Sequence, residues 1–319
     1  MHVHLHRFNV QLHSEAAPIQ QYWQRLFAGW LDDSSQAQAC LQLSLVEKLP
    51  AVPDLPLVFA DVDDLPDGVG LLSVYKRGAG SVLLHYEAGA MVDVPLAETK
   101  SVLTGYVLPQ ALQYGRLEDI TFTSLAPCLR RCGYFLVHAF GACQGNHCCL
   151  IVGPSGSGKT TSGLSLVLAG WELLANDVLL IEDRPDGIYA LPTPGGLSIR
   201  AKTLILLPGC QPLVAGTPCV QQKYELTNQQ VLNGHRPDPR RVSAIYFCQV
   251  EETEKTAMRP LSQAVALARL MEQSVDRWDE ALLDGHMTIL QKISQQAAAY
   301  TLYLGRDIYQ LPQLLAENM

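Results

Sequence analysis

The chain has no basic tract. Its 319 residues carry 23 Lys and Arg against 31 Asp and Glu, a formal net charge of −8, and the cations are scattered. That pattern gives no support to a general nucleic-acid or anionic-membrane surface, so any phosphate site must be local. No apolar run approaches the roughly 18 residues of a membrane span, and the segment MHVHLHRFNV lacks the apolar stretch of a signal peptide. Nothing here directs export. The nine cysteines (40, 128, 132, 143, 148, 149, 210, 219, 248) contain no CxxC pair, and a chain of this length needs no disulfide staples, so a reducing cytoplasm is the expected setting. Cys128 and Cys132 with His138 and His147 make a conceivable zinc set. Cys148 and Cys149, however, lie in an apolar strand run where cysteine behaves as a small hydrophobe. There is no internal repeat and no low-complexity segment.

What is present is an ordinary globular composition, 48% hydrophobic and 17% charged, long enough for two domains or one large one. MHVHLHRFNVQLH alternates as an edge strand with His2, His4 and His6 on one face, where a metal cluster is the less favoured alternative. Residues 17–31 carry Ile19, Tyr22, Trp23, Leu26 and Phe27 at helical spacing. From about 55 to 109, short β-favouring runs punctuated by Gly, Pro and Asp predict a small antiparallel sheet. Residues 110–132 read as mostly helical. YFLVHAFGACQGNHCCLIVG then predicts two strands around the turn-like QGNH. DGIYALPTPGGLSIR predicts strand, turn and strand; 208–240 reads as loop-rich; VSAIYFCQV reads as a strand; the tail reads as helices, with Ser262 a candidate N-cap. The expected division is a β-rich N-terminal domain over 1–117 and an α/β nucleotide-binding domain over 118–319.

The chemistry concentrates in LIVGPSGSGKTTSGLSLVLAG, residues 150–170, which contains GxxxxGKT as Gly153, Gly158, Lys159 and Thr160. A strand precedes it and a helix-like run follows, the context this phosphate-binding motif requires. The loop Gly153, Ser155, Gly156, Ser157, Gly158 turns backbone N–H groups toward phosphate oxygens, and Lys159 adds a charge near the β- and γ-phosphates. Thr160 offers its hydroxyl to Mg²⁺, and Thr161, next in the first helical turn, is expected to join the nucleotide-binding set. The expected ligands are ATP and Mg²⁺.

Downstream, LLANDVLLIED puts an acid before its apolar run instead of after it. A helix over 160–169 rises about 15 Å from the phosphates, and WELLAND, extended, covers about 23 Å on the way back. Asp177 is therefore predicted to end the returning strand beside the glycine-rich loop, in reach of a metal water or of the proton of an attacking hydroxyl. Asn-Asp is also ordinary turn chemistry.

With those residues in place, LVHAFGACQGNHCCLIVGPSGSGKTTSGLSLVLAGWELLANDVLLIED resembles the HPr kinase/phosphorylase family and its wider HPr-kinase-like group, which shares its architecture with phosphoenolpyruvate carboxykinases. The resemblance covers about a quarter of the chain, from about 133 to 205, and RRVSAIYF through LSQAVALARLM is weakly similar to the C-terminal part of that group. It implies an α/β core of that P-loop type, nucleotide and metal binding by Lys159 and Thr160, and handling of metal and a seryl proton by Asp177. His138 matches a family histidine ahead of the nucleotide strand and either assists in the site or packs as a strand residue. Where the family has two adjacent acids, this chain has Asn176 then Asp177. The glycine-containing segment associated with phosphorolysis is missing, as is the LSGGQ-like signature of transporter ATPases. Arg200, Arg240 and Arg241 are candidate phosphate partners.

These readings lead to an expected ATP- and Mg²⁺-dependent kinase that phosphorylates a hydroxyl, a serine of a peptide or small protein first, with small molecules also open. The alternative is an ATP-binding switch or degenerate kinase without efficient transfer. A homo-oligomer is compatible with the resemblance; no nucleic-acid or membrane partner is expected.

Overall fold

The computed structural model describes residues 1–32, 36–61, 71–78, 80–87, 89–96, 101–113, 115–232, 235–274 and 278–317. The chain is mixed α/β and divides into two compact units, Met1–Tyr134 with Asp276–Leu283, and Phe135–Val275 with Asp284–Met319.

In the first unit, β1 (His2–Leu5) and β2 (Phe8–His13) precede α1 (Ala17–Leu26). After them come β3 (Ala39–Leu45), β4 (Leu57–Ala60), β5 (Leu72–Lys76), β6 (Ser81–Tyr86), β7 (Ala90–Pro95), β8 (Ser101–Val107) and α2 (Arg116–Arg131). The strands form one sheet in the order β1-β2-β3-β8-β7-β6-β5-β4. Strands β4 to β8 pair antiparallel throughout, the small antiparallel sheet expected from about 55 to 109, and β3, upstream of that span, joins it by running parallel to both β2 and β8. Ala39, Leu41 and Leu43 on its buried face give β3 the period-2 pattern of a half-covered strand. The N-terminal segment is a hairpin, not a single strand, and its turn holds His6 at φ 57.

The boundary expected after residue 117 falls inside α2, which belongs to the first unit. The reason is packing: Trp23 of α1 donates its indole N–H to Thr121 Oγ1 at 3.0 Å, and the Phe27 and Phe122 rings meet at 5.9 Å.

The second unit contains β9 (Tyr134–Gln144), β10 (His147–Val152), α3 (Lys159–Leu168), β11 (Glu172–Ala175), β12 (Val178–Arg184), β13 (Gly187–Leu191), β14 (Gly196–Arg200) and α4 (Ala201–Leu206). Then come β15 (Cys219–Val220), β16 (Lys223–Thr227), α5 (Asn228–Val231), β17 (Arg240–Arg241), β18 (Ala244–Val250), β19 (Ala257–Pro260), α6 (Gln263–Ser274), α7 (Glu280–Gln296, whose residues up to Leu283 count with the first unit), β20 (Ala298–Leu304) and α8 (Leu311–Ala316). The main sheet has the order β17-β13-β12-β9-β10-β18-β20-β19, with β11 also paired to β9; β14, β16 and β15 form a smaller sheet. Strand β20 replaces part of the expected helical tail. Its apolar residues alternate as it lies parallel to β18, and that pairing overrides the helix-favouring alanines at its start.

Alternation along the central strands assigns the two faces. Cys148, Leu150, Val152, Ile245 and Phe247 pack against α6 and the Ile289–Ile293 turn of α7. Cys149, Ile151, Tyr246 and Cys248 pack against α3 and α8 on the other side. Even-numbered residues of β9, such as Phe140 and Ala142, belong to the α3 side. His138, two residues before Phe140, has the same parity and the same face. Ser262 accepts from Val265 N at 3.4 Å ahead of α6, the cap expected there. Among the described residues, no helix is long and apolar enough to cross a membrane.

Candidate functional site

The site begins where β10 ends. Between Val152 and Lys159 the chain makes a glycine-rich loop, and Gly156 and Gly158 take φ 81 and 96, the left-handed region that side chains with a Cβ resist. Gly158 has a second reason to be glycine. A Cβ there would stand 2.4 Å from Leu304 Cδ1 of β20. Lys159 opens α3, so the first-turn N–H groups, which have no partners within the helix, face the concavity of the loop. Ser155 and Gly156 are exposed at its tip. Ser157 is buried, and its Oγ has no hydrogen-bond partner among the described residues.

Helix α3 lies unusually close to the sheet because Gly163 faces Phe140 of β9, where a Cβ would come within 2.3 Å of the ring. Ser162 and Ser165 are buried on the same helix. The Ser162 hydroxyl lies 3.8 Å from Cys248 Sγ, and Ser165 donates to the Ile308 carbonyl at 2.8 Å. That close seat sets Lys159 beside His138 of β9.

Lys159 is only 5% exposed. Its ammonium donates to the carbonyls of Gly153 (2.6 Å) and Pro154 (3.3 Å) and meets His138 Nε2 at 2.9 Å. All three partners are neutral groups when the imidazole is unprotonated. Burial therefore pushes the Lys159 ammonium below its ordinary range, opposed by the carboxylate of Asp177. Burial likewise pushes the His138 imidazole down, and the neighbouring Lys159 charge pushes it the same way, with Asp177 opposing. The His138 side chain is still 41% exposed, so crowding by protein lowers it while one edge stays open. A neutral imidazole accepts the Lys159 proton donor through Nε2 and carries its own proton on Nδ1.

Asp177 sits in the turn between β11 and β12, as the inverted order of acid and apolar run predicts. Val178 N donates to Asn176 O at 2.8 Å, and Asp177, at the centre of this three-residue turn, has φ 62. A γ-turn with positive φ at its centre is a strained conformation. Asp177 Oδ1 lies 4.0 Å from His138 Nε2. Lys159, His138 and Asp177 thus stand side by side at the mouth of the loop.

Asn176 is the residue whose bonding sequence reasoning missed. It is 2% exposed. Its Oδ1 accepts from Thr160 Oγ1 at 3.2 Å, and its Nδ2 donates to Asp177 Oδ2 at 2.8 Å and to the Gly196 carbonyl at 3.1 Å. The sequence signal was its place directly before Asp177, read only as a departure from a pair of acids. The PTPGG segment it holds is buried and cross-linked: Thr193 N bonds Leu174 O at 3.1 Å, and Asn228 bonds Thr193 O and Gly195 O.

Other candidates are placed elsewhere. The Thr161 hydroxyl pairs with Thr203 Oγ1 at 3.0 Å and points away from the loop toward α4. Arg240 pairs with Glu172 at 3.4 Å, and Arg241 donates to the Asp186 carbonyl at 3.1 Å. Asp186 follows the far end of β12, about 20 Å of strand from Asp177 at 3.3 Å per residue. Arg200 is exposed at the end of β14. Among the described residues, no three His, Cys, Asp or Glu side chains cluster as a metal site, and all nine cysteines are free.

No family model matches the chain, and no curated protein does. Among solved structures it is similar to the HPr(Ser) kinase/phosphatase from Coxiella burnetii, at 12% identity over 57% of this chain and 91% of that one, with a TM-score of 0.29. That is a distant structural relationship.

Proposed function

We propose that the second unit is an ATP- and Mg²⁺-dependent phosphotransferase acting on a hydroxyl group. The observation that carries this reading is the shared position of Lys159, His138 and Asp177 at the mouth of a glycine-rich loop, with Thr160 joined to the same turn through Asn176. A buried ammonium held by carbonyls and a neutral ring, with no carboxylate bonded to it, is suited to an incoming anion. The Ser157 Oγ of the same loop is buried, unpartnered among the described residues and packed against Gly153. Thr160 and Asp177 are hard oxygen donors, and Mg²⁺ takes one or two such protein ligands beside phosphate oxygens, so the residues present fit both ATP and the cation.

When bound, Mg²⁺ supplies neutralisation of phosphate charge. The chain's own contribution is placement. The loop N–H groups and Lys159 hold the terminal phosphates. Thr160, whose proton goes to Asn176, turns its oxygen lone pairs outward. The Asp177 carboxylate takes the proton of the attacking hydroxyl, and His138 holds Lys159 from behind through Nε2. Phosphoryl transfer asks for positioning and charge stabilisation more than covalent chemistry, which this set of groups can provide. A serine of a peptide or small protein is the acceptor we infer, from the resemblance of residues 133–205 alone.

A second reading, a nucleotide-binding switch without efficient transfer, draws on one observation: an amide, not an acid, faces Thr160. Turnover of purified protein with serine peptides, small proteins and small hydroxyl compounds separates the two. Transfer that is lost in Lys159→Ala and in Asp177→Asn, with metal-free ADP binding kept in the latter, supports the transferase. Absence of transfer by the wild type to every acceptor, with MgATP still bound, supports the switch.

A further inference from the structure

The amide at position 176 looks like a weakened acid only when the residue is considered alone. Its three hydrogen bonds use both amide hydrogens and the carbonyl oxygen, and each partner belongs to a different part of the site: Thr160 on α3, Asp177 in the turn, and Gly196 at the start of β14. Two of the three partners, the Asp177 carboxylate and the Gly196 carbonyl, are acceptors. A carboxylate at position 176 has nothing to donate to either. It would set one anion 2.8 Å from another and leave the Gly196 oxygen facing an oxygen in a pocket where residue 176 is 2% exposed.

We propose that Asn176 is a positioning residue that fixes the Asp177 carboxylate in the orientation the site uses, so that an amide is required there and an acid impairs the site. The Nδ2 donation holds Oδ2 back and leaves Oδ1 on the side of His138 and Lys159. This inference rests on the phosphotransferase reading for its kinetic consequence, but the positioning itself is measurable without turnover.

The test uses the full-length protein, its Asn176→Asp, Asp177→Asn and doubly substituted forms, with MgADP, ADP without magnesium, and ATP with an acceptor as probes. Asn176→Asp is isosteric, and a thermal melt confirms that each variant is folded. In calorimetry, each single substitution is expected to reduce the magnesium-dependent gain in ADP affinity severalfold. The double variant is expected to be no worse than either single one, because a displaced Asp177 has nothing left to lose. Metal-free ADP affinity is expected to stay within about threefold of wild type, since the loop and Lys159 are untouched. Where the wild type transfers phosphate, Asn176→Asp is expected to lower kcat about tenfold or more with KM for ATP little changed, as for a misdirected catalytic group. Magnesium-dependent affinity that rises in Asn176→Asp, or falls additively in the double variant, overturns the proposal, as does a kcat equal to or above wild type. Failure of the phosphotransferase reading registers separately, as a wild type without transfer whose calorimetric cycle still decides the role of Asn176.

Discussion

Gly163→Ala measures how much the site depends on the close seat of α3. The new methyl would stand 2.3, 2.3 and 2.4 Å from three atoms of the Phe140 ring, whereas ordinary contacts begin near 3.4 Å, so ring or helix must retreat by about 1 Å. Phe140 is fully buried among Leu164, Leu173 and Cys149, and the ring has no open side. Overpacking of this kind costs about 1–3 kcal/mol, and three simultaneous overlaps argue for the upper end. Alanine returns about 1 kcal/mol of helix propensity. The net expectation is a loss of about 2 kcal/mol, or about 4–8 °C in Tm for a unit of this size. Chemical denaturation at constant m-value reads it directly. Adding Phe140→Leu gives the helix room, so the double variant should lose at least about 1 kcal/mol less than the two single losses combined. A neutral or stabilising Gly163→Ala, or strict additivity with Phe140→Leu, would refute the packing described for α3.

Lys159→Met removes a desolvated ammonium bonded only to neutral groups, so stability should hold or rise. Affinity for MgATP should fall about thirtyfold, the equivalent of about 2 kcal/mol for a lost charge-assisted contact, read by calorimetry and melting together. His138 is depressed in the folded state from its ordinary 6.5; the unfolded chain therefore takes up this proton first as pH falls, and stability should decline below about pH 6.5 and level off below the folded value. His138→Gln should flatten that part of the pH–stability curve, and an unchanged slope would count against the burial argument. At position 177, Ala and Gly both delete the carboxylate, so their difference isolates the backbone. Asp177→Gly should be more stable than Asp177→Ala by about 1 kcal/mol, because φ 62 is left-handed; equal stabilities by denaturation would show that the turn is relaxed.

The parts of this protein that sequence reasoning recovered are those where local chemistry and tertiary role coincide. The β9–turn–β10 hairpin, the loop after β10 and the end of α3 follow from alternation, glycine spacing and Gly170. The return of Asp177 followed from chain length alone, since a helix and an extended segment of known rise leave little choice of destination. The misses have the opposite character. Strand β20 begins with alanines that continue a helical pattern, and only its parallel partner β18 makes it a strand. The placement of α2 with the first unit depends on contacts with α1 some hundred residues earlier in the chain. Thr161 is the next hydroxyl along α3, but the helical rotation of about 100° per residue carries it to Thr203.

Asn176 was visible in sequence and was read only as a departure from a pair of acids, for a reason that generalises to other turns at sites. A residue comparison scores its charge, while its contribution here is donor count. Thr160 needs an acceptor at this point, Asp177 and Gly196 need donors, and among side chains of this length only an amide offers one acceptor and two donors in one plane. An acid would serve Thr160 and fail the other two; alanine would fail all three. The strained turn has the same logic. Asp177 tolerates φ 62 better than most residues because its short polar side chain is tied locally, and here the tie is the amide of its own neighbour. The pair Asn-Asp is thus at once ordinary turn chemistry and the arrangement that presents a carboxylate to Lys159 and His138, and the two descriptions do not compete.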